Sequence, residues 1–166
     1  SIQNVPHYES NPFYISALVS SIEEKIKSIS YVPDLIITSY HGIPNKYFLK
    51  GDPYHCYCYK TTRLVEEKIN MKTPFLVTFQ SRFGPQKWLA PYTDKTLEKL
   101  PSEGIKKVLL ICPGFSSDCI ETLEEISIEA KELFLERGGE KFDFVPCLND
   151  REDHIELLYQ LVLKFI

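Results

Sequence analysis

Apolar positions along the chain alternate between two periods. Residues 1–12 hold Pro6 and Pro12 and read as an extended lead-in, after which residues 13–166 read as one domain. Tyr14, Ala17, Leu18, Ile22, Ile26 and Ile29 recur at helical spacing, and Pro33 closes that segment. A short continuous apolar run at 35–38 predicts a buried strand. A helix follows over 55–69, a second strand over 75–79, a short helix over 93–100 and a third strand over 108–111. A longer helix runs from 118 to about 137, where Gly138 and Gly139 form a C-cap signal. A fourth strand covers 142–145, and Ile155, Leu158, Leu161, Val162 and Phe165 mark a last helix.

Short apolar strands alternating with helices predict an α/β fold: a Rossmann-like parallel sheet of about four strands flanked by helices. Ligands of such sheets bind beyond the carboxyl ends of the strands. Three Gly-containing loops lie there: Ser39-Tyr-His-Gly42, Gln80-Ser-Arg-Phe-Gly84 and Cys112-Pro-Gly-Phe115. The pattern therefore brings His41, Arg82, Asp118 and Glu121 toward one rim, although they are far apart in sequence.

The helix beginning near residue 118 carries an unusual charge pattern. At 3.6 residues per turn, Asp118, Glu121, Glu125, Glu129, Glu132 and Glu136 share one stripe, while Ile120, Leu123, Ile126, Ala130 and Phe134 face a core. Like charges one turn apart oppose helix formation, and the later ones sit at the wrong end of the helix dipole. Such a stripe is costly unless a cation uses it. The plainer reading is a solvated face relieved by Lys131 and Arg137, with Asp118 as N-cap and Glu121 at N3 of a capping box.

Composition narrows the function classes. The net charge of −4 gives no pull toward nucleic acid, and no apolar run approaches the roughly 20 residues of a membrane span. Peripheral membrane contact stays open. The five cysteines, Cys56, Cys58, Cys112, Cys119 and Cys147, are odd in number and form no C-x-x-C pair, which fits a reducing compartment. His55, Cys56 and Cys58 are too crowded along the chain to favour a closed metal site. G-x-G-x-x-G, P-loop and G-x-S-x-G patterns are all absent, so hydride transfer, nucleotide hydrolysis and serine-hydrolase chemistry lose their usual support.

The remaining candidates are few. His41 offers a neutral imidazole that can ligate a metal or accept a proton, or else a satisfied structural histidine. Glu121 offers a second base or ligand. Trp88, the only tryptophan, is either a packing anchor or a flat wall for a planar ligand, and Tyr40 is either a ring-packing residue or core. Arg82 is suited to meeting a carboxylate.

Taken together, Ser39-Tyr-His-Gly-Ile-Pro44, Gly51-Asp-Pro-Tyr54, Phe79-Gln-Ser-Arg-Phe-Gly84, Trp88-Leu-Ala-Pro-Tyr-Thr93 and Pro113-Gly-Phe-Ser-Ser-Asp-Cys-Ile-Glu-Thr-Leu-Glu-Glu-Ile126 resemble the ferrochelatases, in that family's order and spacing and over nearly the whole chain. Residues 142–149 and His154 resemble the family's closing segment. The likeness is to the bacterial type.

The resemblance implies a chelatase-like fold, insertion of ferrous iron into protoporphyrin to form protoheme, and a cytoplasmic bacterial enzyme of the lyase class. It implies that this chain is the C-terminal of two similar halves, that the other half is its partner, and that the fragment alone is inactive. His41 and Glu121 match the family's active-site residues, with metal contact implied for both. Asp118, Glu125 and Glu129 match acidic positions on a cation route, and Trp88 matches a tryptophan near the porphyrin, with Tyr40 as a further wall residue. Cys119 stands where many members have histidine. Iron is substrate rather than resident metal; no permanent cofactor is implied. No iron–sulfur cluster is expected, because the chain lacks the spaced cysteines of the family's C-terminal extension. The competing readings are a chelatase of the same fold acting on coproporphyrin or inserting cobalt, and a metal- or porphyrin-binding module without turnover.

Overall fold

The four apolar runs become β1 (Leu35–His41), β2 (Phe75–Gln80), β3 (Lys107–Ile111) and β4 (Lys141–Val145) in a computed structural model that describes residues 2–165. Ser1 of the lead-in and Ile166 at the end of the domain lie outside the described residues. All strand pairs are parallel, in the order β2-β1-β3-β4. Alternation along the strands divides the core in two. Ile36, Leu109 and Ile111 face α1 (Pro12–Ser28), α3 (Tyr54–Lys68) and α7 (Glu152–Val162). Ile37, Val108 and Leu110 face Leu97 of α4 (Thr93–Lys99) and Ile126 and Phe134 of the acidic segment.

Local chemistry explains the element ends. The Asn11 side chain accepts from Phe13 N at 2.9 Å and Pro12 occupies the first turn of α1, where its missing N–H costs nothing. Asp34 accepts from the amides of Lys106 and Lys107, tying the start of β3 to that of β1. β1 continues three residues beyond its apolar run because Ser39, Tyr40 and His41 still pair with Thr78, Phe79 and Gln80. A short helix, α2 (Asn45–Leu49), follows β1; its exposed Tyr47, Phe48 and Leu49 carry no buried face for periodicity to reveal.

Two expectations need correction. The last helix does not bury the line drawn from Ile155, Leu158 and Val162. Of the predicted line Leu161 is buried, and His154 and Leu157 join it at the core, leaving Ile155 52% and Val162 49% exposed. The acidic segment is not one α-helix. It consists of α5 (Ile120–Leu123), a π-helical stretch (Glu125–Ala130) and α6 (Lys131–Glu136). Glu129 N bonds to Glu124 O at 3.0 Å, five residues back. The wider turn carries an extra residue, so acids on either side no longer share one 3.6-residue stripe. Ile120 and Leu123, expected in the core, are exposed. The N-cap is Cys119, whose side chain accepts from the Thr122 amide while Thr122 Oγ1 accepts from Cys119 N at 3.0 Å; Asp118 and Glu121 do not form the cap.

Among the described residues, no helix is long and apolar enough to cross a membrane.

Candidate active site

The carboxyl ends of β1, β2 and β3 supply the rim. His41 is the last residue of β1 and is half-buried. Its Nδ1 lies 2.6 Å from Gly42 O. A carbonyl can only accept, so Nδ1 is the donor, and in the neutral imidazole the lone pair lies on Nε2. Tyr54 Oη donates to His41 O at 2.9 Å, and the Phe115 ring lies 6.2 Å from the imidazole.

Gly42 lets the neighbouring wall come close. A Cβ there would stand 3.0 Å from Gln80 O and 3.3 Å from Trp88 Cε3. Trp88 is therefore packed beside the residue following His41. The strand-like contact of residues 43–45 with 87–89 holds it, through Leu89 N to Ile43 O at 3.0 Å and Asn45 N to Lys87 O at 2.8 Å. Trp88 Nε1 donates to Phe83 O at 3.0 Å, leaving the ring half-exposed.

Glu121 enters from α5. A hydrogen bond from the Cys119 thiol, with help from a backbone amide and the nearby His41, holds its carboxyl below the ordinary range. Burial and the adjacent carboxylate push the Cys119 thiol up, so it stays protonated and able to donate.

Glu125 is anchored rather than free. It accepts from Ser81 N at 2.7 Å and Ser81 Oγ at 2.6 Å, with Gln80 Nε2 at 3.4 Å. Glu129 is exposed. Although the single stripe is broken, Glu121, Glu125 and Glu129 still border one open depression with Ser81 and Arg82, of about 390 Å³.

Asp118 is drawn into a different task. It accepts from Asn149 Nδ2 at 2.7 Å, Thr122 Oγ1 at 3.0 Å and Cys147 N at 3.2 Å. Burial works against its charge, yet these hydrogen bonds win and hold its pKa below the ordinary aspartate value. Asn149 adopts φ +48°, and its carbonyl accepts from the buried His154 at 2.6 Å. Asp118 thus fastens the start of α5 to the turn before α7.

The structure places the other candidates as follows. Tyr40 is buried; its hydroxyl meets Thr62 Oγ1 at 2.9 Å, and its ring lines an aromatic cavity of about 240 Å³ with Tyr14, Tyr54 and Phe115. It is not on the His41–Trp88 wall. Arg82 pairs with Asp94 and lies over the Tyr92 ring at 4.0 Å. His55 stacks on Phe79 while Cys58 is buried and Cys56 exposed, so these three do not converge. Among the described residues, no group of three His, Cys, Asp or Glu side chains is arranged to hold a metal ion.

His41, Glu121 and Trp88 thus share one rim: a nitrogen lone pair, a carboxylate kept ionised, and a flat apolar surface. The family model described as ferrochelatase matches residues 1–165. This chain belongs to the ferrochelatase family. It is 55% identical over 165 residues to the ferrochelatase of Allorhizobium ampelinum, covering 99% of this chain and 48% of that protein. It is 52% identical to the ferrochelatases of Agrobacterium fabrum and of a Bradyrhizobium species, covering 48% and 47% of them. The chain therefore spans about half the length of the ferrochelatases it matches.

Sequence reasoning missed Gln80, Ser81, Thr122 and Asn149, the polar residues that fix these ferrochelatase-like acids in place. Only the Asn149 turn had a local signal, in the Asn149-Asp150 pair between strand and helix.

Proposed function

We propose that this chain supplies half of an enzyme that inserts ferrous iron into protoporphyrin, and that it is inactive without the remainder. The observation that carries the reading is one sheet rim: His41 ends β1, Trp88 packs beside Gly42, and the Glu121 carbonyl is bonded to Gln80, the residue opposite His41. Metallation replaces two pyrrole protons by one divalent cation. His41 Nε2 is the base suited to accept the first proton, since Gly42 O already fixes the other nitrogen. Glu121, ionised beside it, takes or relays the second. Trp88 gives the macrocycle an apolar surface to lie against. Glu125 and Glu129, bordering the same depression as Glu121, offer oxygen ligands that replace water around the incoming iron. The cytoplasm, where ferrous iron and free thiols both persist, is the compartment this chemistry suits.

A porphyrin needs a second wall, and the family's length leaves room for one: the relatives are about twice as long as this chain. The test is a fusion in which these residues replace the matching part of the Allorhizobium ferrochelatase. The fusion should form protoheme from ferrous iron and protoporphyrin, and the chain alone should not. A folded fusion that metallates coproporphyrin or takes up cobalt in preference assigns a different chelatase. One that binds porphyrin without turnover refutes the enzymatic reading.

A further inference from the structure

Gln80 ends β2 directly opposite His41 in register, and its side chain is almost fully buried. Every hydrogen-bonding position of its amide is used. Oε1 accepts from Ser39 Oγ at 2.7 Å and from Cys112 Sγ at 3.3 Å. Nε2 donates to the carbonyl of Glu121 at 2.7 Å and reaches the Glu125 carboxylate at 3.4 Å. The reverse amide orientation would point an oxygen at two acceptors, so the arrangement is unique. Its two acceptors lie on either side of Glu124, where the ladder changes from Glu124 N–Ile120 O to Glu129 N–Glu124 O. Ser81, at φ +60°, adds two bonds to the same carboxylate.

We propose that Gln80 is a positioning residue whose amide clamps the π-turn to the end of β2, and so sets where Glu121 and Glu125 stand relative to His41. The roles of those acids rest on the function proposed above; the clamp does not. A helix forms a π-turn at a cost, because the i−5 bond is poorer than the i−4 bond. Fully satisfied buried bonds from a rigid strand end offset that cost. The nearest alternatives fit less well. Leucine would leave the Glu125 carboxylate and the Glu121 carbonyl without this donor, and asparagine is a methylene short. An ionised glutamate would face two acceptors, whereas a protonated one would restore a single donor.

That last property supplies the test. Amide hydrogen exchange is measured over residues 125–130 in the chain itself, corrected for the intrinsic pH dependence of exchange, with β3 as internal reference. Gln80→Leu should speed exchange there by about tenfold or more while β3 is unchanged. Gln80→Glu should protect the turn at about pH 5, where a carboxyl pressed against another carboxylate keeps its proton, and lose that protection by about pH 8. In the fusion with the Allorhizobium protein, Gln80→Leu should lower kcat about 10- to 100-fold with KM for porphyrin little changed. Unchanged exchange in folded Gln80→Leu overturns the clamp, as does pH-independent protection in Gln80→Glu. If Gln80→Leu does not fold, the glutamate variant decides alone. If the wild-type fusion fails to insert iron, the functional reading falls while the exchange result still stands.

Discussion

The usable nitrogen of His41 is selected by a backbone carbonyl, not by a second side chain. This makes the residue separable from the fold: it is half-buried, and its side chain makes one hydrogen bond, to the Gly42 carbonyl. His41→Ala in the fusion should therefore lower kcat by about 10²- to 10⁴-fold, the usual worth of a positioned base, with an unchanged circular dichroism spectrum. Near wild-type turnover would remove His41 from the chemistry. Asp118 is the contrasting case. Its depressed pKa means that the folded state holds the carboxylate more firmly than the unfolded chain does. Its stabilisation is fully present above the ordinary aspartate pKa and is lost as pH falls through the lowered folded value. Asp118→Ala should cost about 2–3 kcal/mol at neutral pH, because Asn149 Nδ2, Thr122 Oγ1 and Cys147 N all lose their acceptor. The cost should shrink toward acid in urea titrations; a pH-independent difference would contradict the linkage. The contrast also shows what residue type alone conveys. The placement of His41 and Glu121 near one rim was legible because imidazole and carboxylate stand out beside a strand end. The anchoring of Asp118 was not, because two of its three partners, Cys147 and Asn149, sit some thirty residues away on a different turn.

At the scale of elements, the departure at Glu124 divides the acidic segment into parts with different work. Glu125 is held by Ser81 and Gln80, whereas Glu129 projects into the open. Glu125→Gln places an amide nitrogen against donors and should destabilise the chain by about 1–3 kcal/mol. Glu129→Gln should stay within about 0.5 kcal/mol, as surface changes do. Both should raise the apparent KM for iron in the fusion while leaving that for porphyrin unchanged. Denaturant midpoints together with separate iron and porphyrin titrations check this. An unaltered iron dependence in both variants would reduce the segment to a solvated face. The strands and most helices were legible from periodicity, since apolar runs of four or five residues between turn signals become buried parallel strands under almost any packing. The π-turn was not, since a 3.6-residue wheel presumes an unbroken ladder. What breaks it is a glutamine from another element, with neither charge nor pattern to mark it.

Across the whole molecule, one surface has no partner within the described residues. Ile155, Leu158, Tyr159 and Val162 recur at i, i+3, i+4 and i+7 on the outer side of α7, between 37% and 55% exposed, while Leu157 and Leu161 hold the inner side against α1. A helix apolar on both sides is ordinarily sandwiched, and a continuous exposed apolar stripe promotes association. Relatives about twice this length have further chain available to cover such a face. In its absence a second copy of the same stripe is the available cover, because two-fold pairing lets an apolar face meet itself. The chain alone should therefore self-associate as its concentration rises toward about 100 μM, read by sedimentation velocity. Leu158→Lys with Val162→Lys should restore a monomer without lowering the thermal midpoint by more than a few degrees, since neither side chain is in the core. The same pair placed in the fusion should instead weaken it, if the longer polypeptide buries this face. A monomeric wild-type chain at high concentration, or a double variant that still associates, would show that α7 tolerates water on its outer side and that the contact lies elsewhere.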